Sequence, residues 1–562
     1  QIYPVKTEEG RLGGPSSVEM FGPWYGNLLF RAYNGHPLWR INDQIENKHF
    51  KTLTNVYAEI NLLEGLNFET SINGVYNRSD NSHYTAKEHQ LGPAYVGPGS
   101  FNISSGTNFN YIWKNLLRYS KEFGEHSINF VGGYEYTERD YYSHGGSRRD
   151  YDNDLIPYLS GGTNISNAWD GKNESSLSSI FGRVNYNYMN KYLLTATLRR
   201  DGSSRFGPEN KWGNFPSFAL GWRISEESFM EAKPLSISNL KLRASYGFTG
   251  NEGIGNYSWI SSMSRSKVAI GDNLTTSYYP TSIENRNLSW ERTREFNLGI
   301  DLGFFNQRIM IDADIYRTVS DELLLNIPIP NTSGFNNVLT NIGAVENKGL
   351  EFGITSRNFE GGKFNWTTRF NYSVNRNEVL ELGPDDAPMI FYTSAMGRRV
   401  EVGEPLFSYY AYNYQGVYMN QEEIDADPAS YEGAVPGAGK YEDVNGDGVL
   451  NADDRKILGN YEPDFSFDIT NRFRYGNFDF SFLIEGTVGN TIYNNTDRRS
   501  KIYHEGRNYL GVKTKRWRSE ENPGDGYHSR LSVERGGMEK TPSDYWLDDG
   551  TFFRLKDVTI GY

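Results

Sequence analysis

The chain has 562 residues, of which 37% are hydrophobic and 15% aromatic, with 40 Tyr, 32 Phe and 11 Trp. Its formal net charge of −13 argues against nucleic acid as a main partner, and the absence of cysteine rules out a disulfide framework or a thiolate metal site. No apolar run approaches the roughly 18 residues of a membrane-spanning helix, and mean hydropathy is −0.65; a helical membrane protein is excluded, one that crosses with alternating strands is not.

Taken from the amino terminus, Gln1-Ile2-Tyr3-Pro4 has no basic stretch leading into an apolar one and does not read as a signal peptide. From Lys51–Leu62 onward the chain alternates apolar and polar residues over segments of about ten, the length a tilted strand needs to cross a bilayer. A short helix is expected over Glu226–Ala232, inside a turn from Ser225 to Asn239. The alternation is clearest further on. Phe296, Leu298, Ile300 and Leu302 alternate with Glu295, Asn297, Gly299 and Asp301. After a turn at Phe305–Gln307, Ile309, Ile311, Ala313 and Ile315 alternate with Arg308, Met310, Asp312 and Asp314. The same hairpin construction recurs at Leu350–Ile354 and Phe364–Tyr372. The alternation predicts that Phe296, Leu298, Ile300, Phe364, Trp366, Phe370, Phe480 and Phe482 share an apolar face, opposite Glu295, Asp301, Asp312, Arg369, Asp479 and Glu485.

Periodicity alone leaves a two-sheet sandwich open, because its strands alternate too. Connection lengths decide. Short turns near Leu63–Gly65, Lys121–Gly124, Met189–Lys191, Phe305–Gln307, Asn358–Lys363 and Tyr475–Asn477 alternate with long connections at Asn77–Thr107, Glu138–Ser176, Thr249–Arg292, Ser320–Glu346, Asn375–Pro463 and Thr487–Gly550. That asymmetry is the mark of a transmembrane antiparallel β-barrel with tight periplasmic turns and elaborate extracellular loops. The fold class is therefore all-β. Residues 1–50 read as an extracellular loop region and 51–562 as barrel wall of roughly fifteen strands, the last at Thr551–Tyr562. Single-chain bacterial barrels have even strand numbers, so the wall is expected to be incomplete.

These segments resemble a known family. YLLTATLRRDGSSRFGPENKWGNFPSFALGWRISEE from Tyr192, LKLRASYGFTGNEGIG from Leu240, LSWERTREFNLGIDLGFFNQRIMIDADIYR from Leu288 and NIGAVENKGLEFGI from Asn341 are similar to the SusC/RagA-like TonB-dependent outer-membrane transporters. So are DVNGDGVLNADDRKILGNYEPDFSF from Asp443 and the terminal DDGTFFRLKDVTIGY. The resemblance implies a barrel of about 22 strands with an amino-terminal plug. It also implies a SusD-like surface lipoprotein over the mouth, a segment contacted by TonB, outer-membrane lipid around the wall, and a dimer of transporter–lid pairs. Nothing in the chain resembles the plug, the TonB-contacting segment or the last two strands. The function implied is import of an oligosaccharide, glycan or peptide; the alternative is a non-transporting docking barrel for surface proteins.

One compact motif has metal-ligand spacing. Asp443, Asn445, Asp447, the Val449 carbonyl, Asn451 and Asp454 stand at positions 1, 3, 5, 7, 9 and 12 of a calcium loop, with Gly448 at position 6. Asp454 replaces the usual Glu, which shortens the reach of the last ligand. A bound Ca²⁺ is expected, with a helical turn through Arg455 and Leu458 closing the loop; an Asx-rich turn without metal is the plainer alternative. Arg199, Arg200, Asp201 and Arg205 form a charged cluster that reads first as solvated rim. Tyr141, Tyr142, Trp169, Tyr257, Trp259, Tyr278 and Tyr279 are loop aromatics that either pack the loops or stack on sugars. Substrate-binding residues stay unknown at this level. No G-x-S-x-G, H-E-x-x-H or phosphate-cradling motif occurs, and the 8 His are scattered, so no enzyme is expected.

Overall fold

The computed structural model describes residues 43–86, 99–231, 236–393, 396–501, 511–531 and 541–562. Fifteen strands form one sheet, each pairing antiparallel with its neighbours in chain order. They are β1 (Gln44–Leu63), β2 (Leu66–Thr85), β3 (Ser100–Phe123), β4 (His126–Tyr151), β5 (Gly162–Tyr188), β6 (Tyr192–Ser203), β7 (Trp212–Arg223) and β8 (Ile237–Asn251). The wall continues with β9 (Glu291–Phe304), β10 (Ile309–Asp321), β11 (Ala344–Phe359), β12 (Phe364–Glu381), β13 (Phe465–Tyr475), β14 (Phe478–Val488) and β15 (Phe552–Gly561). Antiparallel order puts the tight turns at one rim, together with the longer β7–β8 turn over 224–236, and the most extended connections at the other. At the first short turn Gly65 has φ +75°, and a Cβ there would meet the Ser120 carbonyl oxygen of β3 at 2.2 Å. Only glycine fits.

Register separates the two faces as the alternation predicts. Leu298 lies between Ala244 and Ile315, Phe370 between Ile354 and Ile469, and Phe480 between Phe473 and Ile560. On the opposite face Asp301 lies between Lys241 and Asp312. There Arg243 donates to Asp301 at 3.0 Å and to both oxygens of Asp314 at 3.1 and 2.9 Å. Glu485 meets Arg554 and, at 2.6 Å, Lys556. Charges that would be costly in hydrocarbon are thus gathered on one side and paired.

Near the short turns the apolar face carries a band of stacked rings, with Trp366 5.5 Å from Phe473 and Phe473 5.8 Å from Phe480. Two polar groups interrupt it, Thr368 and Asn471. The Asn471 carbonyl accepts from Trp366 Nε1 at 2.9 Å and from Thr368 Oγ1 at 2.7 Å, so the departure from the apolar pattern is locally satisfied.

Three expectations need correction. Strand β1 begins at Gln44 rather than Lys51, so residues 44–50 are wall rather than loop, while residues 1–42 lie outside the described residues. The stretches expected as loops over 77–107 and 138–176 are largely strand: β2 runs to Thr85, β3 starts at Ser100, β4 reaches Tyr151 and β5 starts at Gly162. Asn, Ser and Gly on both faces erase the apolar half of the alternation there, yet the backbone ladder continues. Glu226–Ala232 is not one helix; 3-10 turns at Ile224–Glu226 and Ser228–Met230 stand in its place, and Ala232 is outside the described residues.

Candidate functional site

The connections β12–β13 and β14–β15 fold together into a platform at the long-loop rim. Within the first, Met389–Thr393, Met396–Val400, Ser408–Tyr412 and Arg455–Ile457 form a four-stranded antiparallel sheet. Its neighbour, the hairpin of Tyr414–Val417 with Gly439–Tyr441, carries a short helix at Gln421–Ala426 in its loop. The second connection packs along this unit. The Tyr412 amide donates to the Pro542 carbonyl at 3.1 Å, the Tyr414 amide to Asp544 Oδ1 at 2.7 Å, and the Val417 amide to the Gly526 carbonyl at 3.1 Å. Trp517 Nε1 donates to the Met419 carbonyl at 3.1 Å, and its indole lies over Gly437, where a Cβ would approach to 2.4 Å. Met396, Tyr409, Ala411 and Trp546 make a buried core shared by both connections. Burial beside this core pushes the Asp544 carboxyl above its ordinary range.

The calcium-type loop lies between the hairpin and the last strand of the small sheet. Asp443 Oδ1 accepts from the Gly446 amide at 2.7 Å and Oδ2 from the Gly448 amide at 2.9 Å. The Gly448 amide first, with Gly446, holds the Asp443 carboxyl below its ordinary range against desolvation. That stabilisation is present above the usual carboxylate value and is lost as pH falls through the depressed one. Asp447 accepts from the Val449 amide at 2.8 Å, and the fully buried Asp454 accepts from the Val444 and Asn451 amides at 3.0 and 2.7 Å. Asn451 donates to the Val449 carbonyl at 3.1 Å. The donor set is oxygen only, which suits a hard cation. Yet these oxygens are engaged by the loop's own N–H groups, and among the described residues no three His, Cys, Asp or Glu side chains gather as a metal would need. The closing helical turn is confined to Ala452–Asp454; Arg455–Ile457 runs on as strand because it pairs with Tyr410–Tyr412.

The charged cluster divides. Arg199 bonds Asp201 at 2.8 Å and Ser179 at 2.8 Å on the polar face, Arg200 lies over the Trp212 ring on the other, and Arg205 binds Asn256 at 2.8 Å. Ion pairing, ring packing and loop bonding engage all three. Among the aromatics, Tyr278 and Tyr279 lie on a separate hairpin, Asn273–Pro280 with Met263–Ile270. Tyr142 packs on His144, on the opposite face of β4 from Tyr141.

One antiparallel sheet, apolar on one face and ion-paired on the other, with its most extended connections at one rim, is the wall of an outer-membrane β-barrel. Residues 13–406 match the TonB dependent receptor-like, beta-barrel family, and the chain belongs to that family. This places it in the bacterial outer membrane. The chain is 31% identical to TonB-dependent receptor P3 of Formosa agariphila, with 99% of this chain and 57% of that protein covered. It is 30% identical to TonB-dependent receptor SusC of Bacteroides thetaiotaomicron, over 93% of this chain and 50% of that protein. The structure of the RagAB peptide transporter superposes with a TM-score of 0.79 at 21% identity, covering 93% of this chain and 56% of that one. These matches bear out the SusC/RagA-like resemblance of the motifs. The chain spans about half the length of the curated relatives it matches.

Proposed function

We infer that the complete protein is a SusC-like importer that takes a bulky nutrient, an oligosaccharide, glycan or peptide, across the outer membrane with a SusD-like lipoprotein as its lid. The observation that carries this reading is the platform. Two long connections share one core at the mouth, which gives a partner a shaped surface to close upon. The names of the relatives point the same way, SusC for one and a peptide transporter for RagAB. TonB would supply energy through a segment outside these residues, and two transporter–lid pairs would stand side by side. Purification from native membranes in mild detergent is expected to recover a surface lipoprotein of the SusD type, at a mass near two pairs, and cargo uptake is expected to stop when TonB is deleted. Repeated recovery of the barrel alone, with uptake indifferent to TonB, favours the docking-barrel alternative.

Calcium belongs to the same proposal as a structural ion held by Asp443, Asn445, Asp447, the Val449 carbonyl, Asn451 and Asp454. What supports it is the spacing and the oxygen-only donor set. Calorimetry is expected to show one site with Kd of about 10⁻⁴ to 10⁻³ M that Asp443→Asn with Asp454→Asn abolishes. If no heat is seen and chelation leaves the protease sensitivity of 382–464 unchanged, the loop is a self-closed turn.

A further inference from the structure

Strands β2 to β5 are far longer than membrane crossing requires. They have 20, 24, 26 and 27 residues, whereas β6 and β7 have 12 each and about 9–11 suffice for a bilayer. All are anchored at the short-turn rim, so their excess rises beyond the membrane on the long-loop side as a wing continuous with the wall. Trp169 stands 19 residues along β5 from its short-turn end at Tyr188. By register, Trp169, Tyr141, Asn81, Asn108 and Asn167 all lie on the wing's inner face, the continuation of the ion-paired face below.

The inner face of the wing has a distinct chemistry. Two adjoining hollows of about 390 and 280 Å³ open on it, sharing Asn81, Ser104 and Trp169. No Asp, Glu, Lys or Arg lines either one, although 23% of the chain is charged. The rings there pack against glycines of adjacent strands. A Cβ on Gly145 would come within 2.8 Å of the Trp169 indole, and one on Gly106 within 3.4 Å of the Tyr141 hydroxyl. The outer faces of these rings stay open, with Trp169 43% and Tyr141 47% exposed. Around them the side-chain amides of Asn81, Asn102, Asn108 and Asn167 have no partner among the described residues. Asn371 and Asn375, lower on the same face, are bonded to Asp468 and Asn347.

The geometry points to a binding subsite for a neutral oligosaccharide on this wing, with Trp169 and Tyr141 stacking on sugar faces and the free Asn amides bonding hydroxyls. Each amide offers both a donor and an acceptor, matching a vicinal diol, and an open ring face matches the C–H face of a pyranose. His83, which lines the larger hollow 3.9 Å from Asp43, is the one titratable side chain there, so a peptide or a uronate brings charge into a surface with little to answer it and fits less well. The hollows, at 390 and 280 Å³, are sized for a few sugar units. This inference rests on the import reading and narrows its cargo.

The test uses the complete transporter, with the partner that copurifies, on an array of neutral, uronate-containing and sulfated oligosaccharides and peptides. Retention is expected mainly on neutral oligosaccharides. Trp169→Ala is expected to weaken it about ten-fold, Trp169→Phe to restore most of it, and Gly145→Val, which tilts the indole, to act like Trp169→Ala. Each variant is checked for wild-type abundance and heat-shifted mobility in the outer membrane. Preference for charged glycans or peptides, no retention of any probe, or neutral binding indifferent to Trp169→Ala and Tyr141→Ala overturns the subsite. TonB-dependent uptake that persists unchanged in Trp169→Ala also sinks the subsite and leaves import standing. Trp169-sensitive binding without energised uptake does the reverse.

Discussion

Leu298→Arg is expected to cost the barrel about 2–4 kcal/mol, whereas Asn297→Arg, one residue away, leaves it nearly unchanged. Leu298 lies midway along β9, flanked on its face by Ala244 and Ile315, with Phe296 and Ile300 before and after it. An Arg there must carry its guanidinium through hydrocarbon, too far from either rim to reach water easily. Asn297 faces the other way, between Ser245 and Tyr316, on the side that already holds Arg243 and Lys241. A one-residue change of register inverts every side chain of the strand, so the pair of variants reads the register directly. The measurement is unfolding of the complete protein by denaturant in lipid vesicles, with heat-shifted mobility as the sign of a closed barrel. If the two substitutions are equally harmful, or Asn297→Arg is the worse, the apolar face of β9 is not the lipid face.

How much of this was legible in the sequence depended on what each strand faces. Where one side meets lipid and the other water, as at Phe296–Leu302, alternation of Phe, Leu and Ile with Glu, Asn and Asp fixes both strand and face. Where a strand leaves the bilayer the contrast disappears. Asn77 to Tyr84, or Tyr141 to Arg149, are polar on both sides and read as loop, although the β2–β3 and β3–β4 ladders run through them without a break. The wing was therefore missed, and with it the meeting of Trp169 and Tyr141, which the sequence offers only as two loop aromatics. Glycines set against rings, Gly145 under Trp169 and Gly106 beside Tyr141, were the available signal. They become readable only once the strand pairing is known.

The platform was hidden for a different reason. Its contacts join residues about a hundred apart, such as Met419 with Trp517, and no local period announces them. The calcium-type loop was the opposite case, a local motif whose turn is present as spacing foretold. The Asx turns and the Asp454 cap follow from residues within twelve positions of one another. Spacing reports the turn because backbone amides are always at hand to bond the carboxylates. It does not report whether a cation takes their place.

Trp546→Ala is expected to open the platform while leaving the barrel closed. Trp546 is 3% exposed, packs with Met396, Tyr409 and Ala411, and has the Tyr545 ring 4.6 Å away. Loss of a buried Trp costs about 3–5 kcal/mol, and this core is too small to spread that loss. The adjoining bonds, Tyr412 amide to the Pro542 carbonyl and Asn494 amide to the Trp546 carbonyl, are backbone contacts that hold only while the packing keeps them aligned. Limited proteolysis of the complete protein is then expected to cut within 382–464 and 489–551 at least ten-fold faster, with heat-shifted mobility retained. Trp546→Phe falls between the two, and Val435→Ala, on the exposed loop surface, changes nothing. Loops as resistant as before in Trp546→Ala mean that the two connections are held by something other than this core. If the loops open and a SusD-type lipoprotein is still recovered in full, the proposed lid does not rest on the platform. Only the joint loss of loop protection and lid recovery ties the folded loops to the closing of the mouth.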